Sequence, residues 1–167
     1  LIDRPIRPLF PKAFRQDVQI TVLVLSHDGE HDPDLLALMG GSAALAVSSI
    51  PCAGPIGAIR IGRSGDQFVV HPTYEELAKS SLDVVVAGGA QGIDMIEAGC
   101  QEVPDALLFE AIEVAWRHAQ DVIAMQEELA RTCGKPKVAW TSAGPTAALV
   151  EAVRAKGFVR TPAGVRV

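Results

Sequence analysis

Hydrophobic residues follow two rhythms along this chain. Residues 17–26, DVQITVLVLS, are rich in β-branched and aliphatic side chains and predict a buried strand. His27-Asp28-Gly29 then turns the chain. Between 32 and 47 the period lengthens. Leu35, Leu38, Met39, Ala43 and Ala46 fall near helical spacing, with Asp32 as the N-cap and Pro33 at the first helical position. The run Gly40-Gly41-Ser42-Ala43-Ala44 has almost no side-chain bulk. Such a helix is suited to close approach to a sheet, at some cost in helix propensity. From 54 to 71 the period falls to two. GPIGAIRIG and DQFVVH predict strands joined by a turn at Arg63-Ser64-Gly65-Asp66.

The pattern then alternates again. PTYEELAKSS predicts a short helix starting near Pro72 or Thr73. LDVVVAG (82–88) and IDMIEAG (93–99) predict a second hairpin around the glycines at 88, 89 and 92. Residues 104–132 carry the clearest helical stripe: Leu108, Ala111, Ile112, Ala115, Val122 and Ile123, started by Pro104-Asp105 and stopped by Gly134. Lys135-Pro136-Lys137 reads as a linker. Residues 145–157 predict one further short helix ending at Gly157, and the remainder to Val167 finds no partner in the chain. At the front, residues 1–8 read as the end of a helix limited by Pro5 and Pro8. The order predicts an α+β fold, a mixed sheet covered by helices, with no internal repeat.

Composition narrows the function classes. The chain has 167 residues, 49% hydrophobic and 21% charged, which is globular. A net charge of −5 restricts any nucleic-acid surface to a local basic patch. Cys52, Cys100 and Cys133 show no metal or disulfide spacing and read as buried small hydrophobes. No signal peptide or bilayer-spanning apolar run is seen, so a cytoplasmic location without membrane partners is expected. Gly40-Gly41 lies inside a helical pattern and lacks the Lys-Ser/Thr of a phosphate loop. The glycines at 88–92 precede a strand rather than the helix a dinucleotide loop needs, and they read as turn residues. The chain opens without Met inside a segment that reads as structured, which predicts sequence upstream.

Six segments occur together and in order: LIDRPIRPLFP, HDPDLLALMGGSAALAVSSIP, GPIGAIRIG, PTYEEL, LDVVVAG and MIEAG. Together they resemble the bacterial polynucleotide phosphorylase family, in the first of its two ribonuclease-PH-like cores, over about residues 1–133. The tail at 134–167 resembles a linker and the start of the all-α domain that joins the cores. The resemblance implies an N-terminally truncated ribonuclease-PH-like core, a ribosomal-protein-S5-domain-2-like βαβ arrangement with a mixed sheet packed on helices. It implies a phosphorolytic 3′-to-5′ exoribonuclease. Such an enzyme releases nucleoside diphosphates with inorganic phosphate, runs in reverse as a polymerase, and uses Mg²⁺. It also implies a homotrimer around single-stranded RNA, with RNA-degradosome proteins as candidate partners in mRNA decay.

The same resemblance implies a phosphate-binding residue ahead of the small-residue helix and two metal-binding aspartates near PTYEEL. Carried over, these positions hold Asp34, His71 and Leu77. An anion replaces the phosphate-binding group, and Leu offers nothing to a hard cation. No catalytic residue and no metal ligand is therefore expected in this segment, and the Mg²⁺ ligands are expected elsewhere in the longer enzyme. Glu75 and Glu76 read as solvated surface; Asp83 and Glu97 lie on neighbouring strands where each could meet a base. RNA contact is expected from Arg4, Arg7 and Arg15, because phosphate electrostatics dominate such binding. The competing role for Arg4 and Arg7 is intramolecular, in salt bridges with Asp3 or in carbonyl capping. Two alternatives stand beside the phosphorolytic reading: a non-catalytic RNA-binding ring subunit, and a stand-alone ribonuclease PH trimming tRNA 3′ ends. His71, Leu77 and the extra helix after 133 argue against the latter.

Overall fold

Two hairpins build the sheet. GAIRIGRS forms β1 (Gly57–Ser64) and QFVV forms β2 (Gln67–Val70), antiparallel, with Ser64 opposite Gln67. Gly65 sits at φ +58°, a left-handed turn position that glycine takes without strain. LDVVVAGG forms β3 (Leu82–Gly89) and GIDMIEAGC forms β4 (Gly92–Cys100), closed across Gly89 and Gly92. β3 also pairs antiparallel with β1, from Gly57 opposite Gly88 to Gly62 opposite Asp83. The strand order is β2-β1-β3-β4. In this computed structural model, residues 1–141, 144–156, 159–161 and 164–166 are described.

The α+β class holds, but the expected mixed sheet is antiparallel throughout. Two of its pairings are tight hairpins, which permit no other direction. The third connection runs through α3 (Tyr74–Lys79) and carries the chain past β1. β2 and β3 therefore run the same way on either side of β1 without pairing. α3 starts where its sequence places it. Glu76 N–H donates to Thr73 Oγ1 at 3.2 Å, and Thr73 N–H donates to Glu76 Oε2 at 2.8 Å, a reciprocal capping box.

Period-two alternation sends Ile59, Ile61, Leu82, Val84 and Val86 to one face. There they meet Ala111, Ala115 and Ala119 of α4 (Asp105–Cys133). The other face carries Ala58, Val85, Ala87 and Met95. Leu35, Leu38 and Leu45 of α2 (Asp34–Val47) and Ile6 of α1 (Asp3–Ile6) cover them. β3 is buried on both faces, so it reads as a continuous apolar run. The small-residue run in α2 buries Gly41 and Ser42, and Ile56 N–H donates to Ser42 Oγ at 2.8 Å. The helix expected at residues 1–8 is one α turn followed by a 3₁₀ turn at Arg7–Leu9.

The strand expected at 17–26 does not form. Leu23 and Leu25 are 76% and 92% exposed, and no strand among the described residues pairs with this stretch. A strand needs a ladder partner for its backbone groups, and apolar β-branched content alone does not supply one. The supposed linker at 135–137 is docked. Lys135 N–H donates to Val47 O at 2.9 Å and Val138 N–H to Ser49 O at 2.8 Å. Lys137 Nζ donates to the carbonyls of Leu45, Ala46 and Ser48 at 2.8, 3.1 and 2.9 Å, closing the C-terminal end of α2. The cysteines are not buried as expected: Cys52 is half-buried, and Cys100 and Cys133 are exposed.

Residues 1–11 and 18–139 make one compact unit; residues 12–17 and 140–167 make another. Within the second, α5 (Ala147–Ala155) occupies the predicted short helix, and Thr146 Oγ1 caps it by accepting from Leu149 N–H. Its expected stop at Gly157 lies outside the described residues. The remainder does find a partner: β5 (Val159–Thr161) pairs antiparallel with β6 (Gly164–Arg166). Trp140 stands edge-on to Phe14 at 6.3 Å.

Candidate functional site

Arg60 is the one charge in the apolar run GAIRIG, and it points to the α2 face of β1. Its side chain is 16% exposed. Nε donates to Asp83 Oδ1 on β3 at 2.9 Å. NH1 lies 3.3 Å from Asp32 Oδ2 and 3.5 Å from Asp34 Oδ1, both at the start of α2. The local sequence explains this meeting. Asp32 Oδ1 accepts from Asp34 N–H at 3.1 Å, which fixes the Asp32 carboxylate at the helix start. Burial opposes the Arg60 charge, but Asp83 and Asp34 outweigh it and raise the guanidinium pKa. Burial raises the Asp34 carboxyl, and Arg60, shared among three carboxylates, offsets this only in part.

Beside this cluster lies a cavity of about 270 Å³ whose polar lining is Asp28, His31, Asp32, Asp34, Arg60 and His71. Asp28 Oδ1 accepts from the N–H groups of Glu30 and His31 at 2.8 and 2.9 Å, and its Oδ2 meets His31 Nδ1 at 2.7 Å. These bonds hold the Asp28 carboxyl well below the usual carboxylate range. In return Asp28 raises the His31 imidazole. His71 follows β2 with φ at 51°, a left-handed conformation rare for a residue with a side chain. Its N–H donates to Arg60 O at 2.9 Å. Burial lowers its imidazole pKa, and the charge of His31 lowers it further.

The structure thus brings Asp34 and His71 to one cavity and leaves Leu77 out of it. Leu77 packs over Gly62 instead, 3.6 Å from where a Cβ on that glycine would stand. The residues present do not fit the Mg²⁺ that the family resemblance implies. Asp34 is tied to a guanidinium, His71 offers nitrogen, and Leu77 offers no donor. Among the described residues, no three His, Cys, Asp or Glu side chains converge for a metal. Glu75 pairs with Lys79 at 2.6 Å and Glu76 caps α3, as befits a solvated surface. Asp83 finds Arg60, and Glu97 finds Arg4.

The arginines of the opening segment are surface groups. Arg7 NH2 donates to Asp3 Oδ1 at 2.7 Å, a pairing that the sequence raised as one option, and Arg4 NH1 stands 3.5 Å from Glu97 Oε2. Their side chains remain 76% and 63% exposed. Arg15 is exposed and belongs to the second unit. Sequence reasoning passed over Arg60, although a charge between two buried isoleucines was a signal that opposite charges must converge there.

Comparison with known proteins places these elements in context. Residues 1–51 match the 3′ exoribonuclease family, domain 1, and residues 54–117 match the 3′ exoribonuclease family, domain 2. Proteins named polyribonucleotide nucleotidyltransferase are among the relatives. The one from Thermus thermophilus is 50% identical over 141 residues, covering 84% of this chain and 20% of the relative. The one from Halothermothrix orenii is 45% identical over 154 residues, 92% of this chain and 22% of the relative. The one from Exiguobacterium sibiricum is 40% identical over all 167 residues, 23% of the relative. The chain spans about a fifth of the length of the relatives it matches.

Proposed function

The chain belongs to the 3′ exoribonuclease family, and from that premise we propose that it is a non-catalytic, RNA-contacting and trimerising core of a longer phosphorolytic enzyme. That enzyme degrades RNA from its 3′ end to nucleoside diphosphates with inorganic phosphate, and the reaction is reversible. Convergence of Asp32, Asp34 and Asp83 on Arg60 is the observation that carries the non-catalytic reading. The half-buried guanidinium near the family's phosphate position is already engaged by three carboxylates, and the surrounding charge opposes an oxyanion. Mg²⁺ is assigned to residues elsewhere in the longer protein. A homotrimer working on single-stranded RNA in cytoplasmic mRNA decay, with degradosome proteins as partners, completes the proposal. Residues from about 134 on are assigned to the linker and the start of its helical domain.

Arg4, Arg7 and Arg15 are the proposed phosphate-binding groups. The first two are paired only through exposed bridges, which are weak and exchange readily for another anion. The double variant Arg4→Ala with Arg7→Ala, made in the full-length protein, is expected to weaken single-stranded RNA binding. The slope of log affinity against log salt should fall by about one for each phosphate no longer neutralised. An unchanged affinity and slope leaves these residues a structural role only. The isolated 167 residues are expected to release no ADP from poly(A) with phosphate; robust turnover refutes the non-catalytic assignment.

A further inference from the structure

We draw no further inference here: the strongest candidate, the exposed apolar surface patch at residues 22–25 on the unpaired stretch ahead of α2, carries none, because nothing in the structure shows what covers it.

Discussion

The two faces of the sheet are closed in different ways. On one, α4 lies against Ile59, Ile61, Val84 and Val86 through a stripe of alanines, with Gly57 under its backbone. Small residues there let helix and sheet approach closely, and the interface is apolar apart from Gln126, whose Nε2 donates to Ile56 O at 2.7 Å. On the other, α2 brings large side chains, Leu35, Leu38 and Leu45, and its first turn brings carboxylates to Arg60. One face is held by close approach and the other by volume. Carboxylates gather around Arg60 where the second face ends, because a charge next to the alanine stripe would have no partner.

The largest expected effect tests the face closed by volume. Leu38 is fully buried, and Leu38→Ala should lower unfolding free energy by about 3 kcal/mol, measured by urea denaturation, because removing those methyl groups leaves a cavity. Next comes the face closed by close approach. A Cβ at Gly57 would stand 2.2 Å from Ala119 O, backbone that cannot rotate away. Gly57→Ala should therefore push α4 outward at a cost of about 2 kcal/mol. If Gly57→Ala proves silent while Leu38→Ala is not, α4 has slack and the contrast between the faces collapses.

Much of this arrangement was legible because it is local. β3 announces double burial by being apolar at nearly every position, and the hairpins announce themselves by glycines between alternating runs. The stripe in α4 needs only the period of a helix. What escaped depends on groups far apart in the chain. Residues 17–26 have the composition of a strand, but pairing belongs to two segments and a composition describes one. Lys137 reads as linker because its partners lie 89 to 92 residues earlier. At the cavity, Asp34 and His71 were singled out through the family pattern, whereas Arg60 and its convergence with Asp32 and Asp83 were not. Charge pairing across strands leaves no periodic trace.

A smaller effect is expected where the docked segment closes α2. Lys137 donates to three carbonyls at the C-terminal end of α2, where Leu45 O also accepts from Ser48 N–H and Oγ. Lys137→Met keeps the stem and removes the donors, and should cost about 1 kcal/mol. Hydrogen exchange should show faster opening of residues 45–48 and of 135–138 together, since each satisfies the other. Opening confined to 135–138 would mean that α2 ends stably on its own and that the lysine only rides on it.

The finest test is pH, because the two histidines of the cavity pull in opposite directions. Burial holds His71 below its ordinary value of 6.5, so the fold resists protonating it. Its contribution is fully present above that value and is lost as pH falls below it, because the unfolded chain then binds the proton first. His31 is raised by Asp28 from the same ordinary value. Its stabilisation is fully present below 6.5 and is lost as pH rises through the raised value. Urea midpoints followed from about pH 5 to 8, the span in which histidine titrates, should separate them. His71→Asn, which tolerates the left-handed backbone, should flatten the acid-side loss. His31→Gln should steepen it. If both variants shift the profile the same way, the histidines share one environment, and the polar edge of the α2 face is more open to water than its hydrogen bonds imply.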